Sequence, residues 1–162
     1  MKNFIKNRDF ILFSIIIFGV IVVGFANPYF VKPSSLADVL TDTSILIILA
    51  LSQMIVILIR AIDLSVASNL ALSGMLISLL STVYPELPVV FFILLSCVIG
   101  TFLGVLNGVS IAILKVPFIV TTLGTLSIYR GLIYFVSDGK QVYSHEFSEN
   151  FLALIHYKFL SL

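Results

Sequence analysis

The chain has 162 residues, of which 60% are hydrophobic and only 10% charged, and its mean hydropathy is +1.20. That composition excludes an ordinary soluble domain. The net charge of +1 is uninformative, since the charges sit between the apolar runs, and no basic patch points to nucleic acid. A single cysteine, Cys97, sits in an apolar run and excludes a disulfide framework.

Taken in order, residues 1–9 carry Lys2, Lys6 and Arg8 ahead of an apolar run that ends near Asn27-Pro28. Gly24-Phe25-Ala26 resembles a signal-peptide cleavage site. The run exceeds the usual h-region, however, and further apolar segments follow, so 10–30 is predicted to be an uncleaved first span. Residues 27–43, with Pro28, Lys32, Pro33, Asp38 and Asp42, are predicted to be a polar connection. The second span, 44–62, is interrupted by Ser52 and Gln53 and reaches crossing length only by drawing Arg60 and Asp63 toward the membrane.

Charges at the bilayer centre cost about 2.5–3.5 kcal/mol each, so the junction RAIDLSVASNLALSGM over 60–75 needs a physical reason. If a helix ran through both charges, Arg60 and Asp63 would be i, i+3 neighbours able to pair, as a structural or gating couple. The plainer alternative has Asp63 capping the next helix while Arg60 snorkels to headgroups.

Span three is predicted at 64–83, closed by Tyr84-Pro85-Glu86-Leu87-Pro88, and span four at 89–114. Gly100, Gly104 and Gly108 recur at i, i+4, and Gly74 with Ser78 keeps the same spacing on span three. These strips suit close helix packing. Lys115-Val116-Pro117 precedes span five, 117–136, where Thr121, Thr122, Thr125 and Tyr129 form one polar stripe. Such a stripe bonds to a neighbouring helix or to its own carbonyls, or else lines a watery path. Gln53, Asn69 and Asn107 are the other path-lining candidates, and Asn107 is equally suited to bonding a facing helix. Residues 151–162 begin an apolar stretch too short to cross, so the chain reads as truncated or incomplete.

The expected fold is therefore an all-α polytopic transmembrane bundle of about five spans. A cytoplasmic amino terminus places Lys2, Lys6, Arg8, Arg60 and Lys115 inside against Lys32 and Lys140 outside, as the positive-inside rule favours.

Catalytic machinery is not legible. His145-Glu146 starts an HExxH-like string, but Glu149 stands where the second zinc ligand belongs, and His156 has no partner at ligand spacing. No metal site, GxxxxGK[ST] loop or Gly-x-Ser-x-Gly elbow occurs. The chain is not expected to be an enzyme or to hold a cofactor.

RAIDLSVASNLALSGM and GVLNGVSIAILKVPFIVTTLGTLSIYRG resemble, in order and separation, two signatures of bacterial ABC importer permeases for simple sugars of the ribose, rhamnose and autoinducer-2 type. RAIDLSVASNLALSG and GKQVYSHEFS look most like the rhamnose branch. The resemblance implies a multi-pass subunit of the bacterial inner membrane that acts with a second permease copy or paralogue. An ATPase subunit, which carries ATP-Mg, and an extracytoplasmic sugar-binding protein would complete the transporter. Members of this family run to roughly twice this length. The rival expectations are a fragment of an ion-coupled secondary transporter, or a membrane scaffold or remnant without transport.

Overall fold

The computed structural model describes residues 8–147 and 151–152. Five long helices follow one another among the described residues: α1 (Arg8–Ala26), α2 (Pro33–Leu58), α3 (Val66–Val83), α4 (Val89–Ala112) and α5 (Phe118–Ser137). No strand occurs among the described residues. Helices α2 to α5 are each long and apolar enough to cross a membrane, and α1 carries a shorter apolar stretch, Phe10–Ala26.

The described residues divide into two compact units, with the boundary between Ile48 and Leu49. In the first, α1 ends at a short 3₁₀ turn, Pro28–Val31, where Asn27 Oδ1 accepts the Tyr29 N–H at 3.1 Å. Lys32 then lies over the Tyr29 ring, 3.7 Å from its centroid.

The expected polar connection over 27–43 is in fact largely helix, because α2 starts at Pro33. Proline suits a first helical position, having its φ preset and no N–H to leave unpaired. Twenty-six residues rise about 39 Å, beyond the ~30 Å hydrocarbon layer, so the polar first turns need not enter lipid. Thr41 and Ser44 satisfy their hydroxyls on the helix itself, through the carbonyls of Ala37 and Thr41.

In the second unit, α3, α4 and α5 pack on one another. Proline sets two of the helix starts: Pro88 caps α4, and Pro117 caps α5 and accepts the Thr121 N–H at 3.0 Å. The apolar centre takes one residue from each helix, Leu72, Leu103 and Tyr129, with Leu76, Ile99 and Ile133 around them. Asp138, at φ 52°, and Gly139, at φ 69°, close α5 in the left-handed region. Of the expected incomplete segment 151–162, residues 153–162 lie outside the described residues.

Candidate functional site

Helix α2 stops because Arg60 turns left-handed, at φ 60°. The Arg60 N–H bonds to the Ile57 carbonyl at 2.8 Å and the Ala61 N–H to the Val56 carbonyl at 3.1 Å. This bond pair is a Schellman motif, which usually places glycine at the left-handed position. The expected Arg60–Asp63 pair does not form: the helix that would have made them i, i+3 neighbours has ended. Arg60 is exposed, and the one ion pair among the described residues joins Lys140 to Asp138 at 3.9 Å.

The unwound stretch that follows is clasped from three sides. Asp63 Oδ1 accepts both the Ser65 N–H, at 2.8 Å, and the Ser65 hydroxyl, at 2.7 Å. Gln53 Nε2 of α2 donates to the Asp63 carbonyl at 3.0 Å. Thr122 Oγ1 of α5 donates to the Phe118 carbonyl at 2.9 Å and, more weakly, to the Ile62 carbonyl at 3.4 Å. Carbonyls freed by unwinding need such partners, since the membrane offers no water to take them.

Ser65 is the hub, with none of its surface exposed. Its single hydroxyl proton goes to the carboxylate, so only its lone pairs remain for Asn107, whose Nδ2 donates to it at 2.7 Å. That polarity fixes the Asn107 amide and leaves its buried Oδ1 without a partner; the Thr121 hydroxyl oxygen is likewise buried and unpartnered. Bonds from α4 and α5 to the 59–65 stretch also bring it and the 113–117 connection to one end of this unit. The basic residues there, Arg60 and Lys115, are both exposed and both left-handed, at φ 60° and 57°.

The remaining predicted residues serve the same seam. Tyr129, only 2% exposed, donates its hydroxyl to the Leu103 carbonyl of α4 at 2.7 Å. Thr125 turns back on its own helix, toward the carbonyls of Thr121 at 3.1 Å and Thr122 at 3.3 Å. Thr122 and Tyr129 thus reach neighbouring segments and Thr125 its own backbone, whereas the Thr121 hydroxyl has no partner among the described residues. Asn69 stands apart. Its Nδ2 reaches the Gly100 carbonyl at 3.3 Å and its Oδ1 accepts from Ser73 at 3.2 Å, along an open groove between α3 and α4.

Of the four glycines on the predicted packing strips, Gly100 alone has a facing neighbour among the described residues. A Cβ there would lie 3.8 Å from Ser73 Oγ, whereas one at Gly74, Gly104 or Gly108 would meet nothing within 4 Å. His145 stacks on Tyr143 with centroids 5.6 Å apart, and His156 lies outside the described residues. Sequence reasoning missed Ser65 and Ser73. The Asp-x-Ser spacing of 63–65, a familiar side-chain-to-backbone turn, was the signal for the first.

Comparison with known proteins extends these observations. Residues 35–161 match the family described as "Branched-chain amino acid transport system / permease component". The ribose import permease protein RbsC of Haemophilus influenzae is 38% identical over 146 residues, covering 90% of this chain and 43% of its own length. The autoinducer 2 import system permease protein LsrC of Enterobacter sp. (strain 638) is 36% identical over 144 residues, covering 88% and 41%. That of Escherichia coli O157:H7 is 34% identical over 143 residues, with the same coverage of 88% and 41%. The chain thus spans about two fifths of the length of these relatives, at 41% and 43%. No solved structure gives a significant match. A match over residues 35–161, together with helices built to cross a bilayer, places this chain in the membrane-spanning permease family of bacterial import systems.

Proposed function

We propose that the chain forms the amino-terminal bundle of a permease subunit in an ATP-driven importer of a small neutral sugar in the bacterial inner membrane. A separate subunit hydrolyses ATP, an extracytoplasmic binding protein delivers the sugar, and a second permease copy or paralogue completes the pathway. The observation that carries this reading is the family match, which covers the clasped bundle and relatives bearing the names of import permeases.

The chemistry of the chain is compatible with that division of labour. A path that bound its solute tightly would release it slowly, so mild amide and hydroxyl groups suit passage better than a tight site. With the amino terminus inside, the end bearing Arg60 and Lys115 faces the cytoplasm, as the positive-inside rule favours. In this reading Gln53, Asn107, Thr122 and Tyr129 hold the bundle together, while Asn69 borders the path. Arg60 and Asp63 act separately, one ending α2 and the other seating α3.

One observation favours a second reading. An unwound stretch bearing a carboxylate is the feature an ion-coupled carrier uses to hold its cation. Expression of the protein with its ATPase and binding protein separates the two. The importer reading expects both partners to co-purify with it and sugar accumulation to survive collapse of the proton and sodium gradients. Accumulation that stops with the gradients and ignores ATP depletion would establish the carrier instead.

A further inference from the structure

The clasp lies ahead of α3; along α3 itself, the face bearing Asn69, Ser73 and Gly74 opens into a groove of about 450 Å³ between α3 and α4, with Leu49 of α2 on its wall. This volume falls within the ~300–1,000 Å³ of small-molecule clefts. Along α3 it runs from Val66 to Ser78, a rise of about 18 Å, more than half of a ~30 Å hydrocarbon layer. Its wall carries Asn69, Ser73, Ser78, Ser96 and Cys97 among apolar residues, and none of the residues lining it is charged. One end meets Phe151, which packs edge-on against Phe92 and stacks on Phe147, with centroids 5.8 Å and 5.0 Å apart.

Asn69 supplies the chemistry. An amide offers two N–H donors and two lone pairs, and Asn69 spends one of each, on the Gly100 carbonyl and on the Ser73 hydroxyl. One donor and one acceptor therefore remain on a side chain that borders the groove. A sugar hydroxyl is itself both donor and acceptor and matches that pair. An amino acid would bring an ammonium and a carboxylate into a wall with no charge to meet them, at a heavy desolvation cost.

We propose that this groove is a water-filled part of the solute path, and that it takes a neutral polyhydroxylated solute of sugar type rather than an amino acid. The proposal rests on the importer reading above and deepens it, moving the path from the α5 hydroxyl stripe to the α3–α4 groove. It also explains why Asn69 and Ser73 keep polar groups at a depth where apolar residues would pack at no such cost.

The chain's single cysteine makes the proposal directly testable, because Cys97 is exposed within the groove. Val98, the next residue, is 63% exposed and does not line it. The full chain, in native membranes with its partners, is treated with a cationic methanethiosulfonate and separately with lipid-soluble benzyl methanethiosulfonate. A Cys97→Ser, Val98→Cys variant serves as comparison. Only a thiolate reacts, and a thiolate needs water, so the cationic reagent is expected to modify Cys97 at least about tenfold faster than the cysteine at 98.

Reaction of Cys97 with the benzyl reagent alone overturns the proposal, since acyl chains then fill the groove. Reaction with neither reagent overturns it too, since another helix then covers the groove. ATP-driven uptake of pentoses and hexoses, with leucine as comparison, is measured in the same membranes. Sugar uptake beside an unreactive Cys97 defeats the groove and leaves the importer standing. A reactive Cys97 with no ATP-driven uptake defeats the importer reading, and leucine uptake above that of every sugar defeats the solute class. Asn69→Leu is expected to lower sugar uptake severalfold with the ATPase still co-purifying; unchanged uptake counts against the path.

Discussion

Replacing Ser65 by alanine removes one oxygen from the centre of the clasp. The hydroxyl donates to Asp63 at 2.7 Å and accepts from Asn107 at 2.7 Å, whereas the backbone bond to Asp63 at 2.8 Å survives. A hydrogen bond to a charged group contributes about 1.5–3 kcal/mol, and a buried amide donor left unpaired costs about 1–3 kcal/mol. Interhelical bonds in membrane proteins run weaker, averaging about 0.6 kcal/mol, because the unfolded chain in lipid also finds partners. The sum, discounted on that account, is about 2–4 kcal/mol.

Asn107→Leu in the alanine background removes the stranded amide and should recover part of the loss. Deleting both partners of a buried bond costs less than deleting one, so the double-mutant cycle should give a coupling of about 1 kcal/mol. Titration with sodium dodecyl sulfate in mixed micelles, followed by far-UV ellipticity, measures each variant; the chain has no tryptophan to report instead. A Ser65→Ala variant within about 0.5 kcal/mol of the parent would refute the reasoning, as would a double variant no better than the sum of the singles.

Three further predictions follow from the same geometry. At the left-handed Arg60, Arg60→Gly and Arg60→Val lose the same charge, so their difference isolates backbone strain; glycine should be the more stable by about 1–2 kcal/mol in the same titration. Tyr129→Phe gives up the bond to the Leu103 carbonyl and should cost about 0.5–1.5 kcal/mol, whereas Tyr129→Ala also opens a cavity and should cost about 3–5 kcal/mol. Gly104→Ala and Gly108→Ala meet no neighbour among the described residues and should each raise stability, by up to about 1 kcal/mol through helix propensity; a loss shared by both would show that something packs there.

Much of this fold is legible in the sequence because a span announces itself by hydropathy alone. Helices α3, α4 and α5 start within two residues of their expected places, α4 and α5 directly after a proline and α3 after Ser65. The start of α2 was hidden because Asp38, Thr41 and Asp42 look like a loop. Polarity reports whether a residue meets water, however, and a helix longer than the hydrocarbon layer meets water at its end. The Arg60–Asp63 pair failed for a different reason. It assumed an unbroken helix, and a left-handed Arg60 is invisible in a sequence where glycine would have advertised it.

The site was legible as an inventory but not as an arrangement. Asn107 and the hydroxyls of α5 were visible as polar residues in apolar runs. That Asn107 and Thr122 share one target, the unwound 59–65 stretch, follows only from helices meeting in space. Ser65 looked like any small residue of its run, and its burial at the crossing of three bonds depends on residues up to 42 positions away. Asn69 and Asn107 are the same residue type, and only packing separates the one bordering an open groove from the one closed inside.

The central claim is that this bundle passes a neutral sugar inward on energy supplied by another subunit. Proteoliposomes holding the protein with its ATPase, with sugar-loaded binding protein on the opposite face, test it most directly. The account predicts radiolabelled sugar moving across the bilayer only when ATP is present on the ATPase side, at an unchanged rate after ionophores abolish the proton and sodium gradients. Movement that needs a gradient and no ATP, or ATP hydrolysis with no sugar crossing, would contradict it.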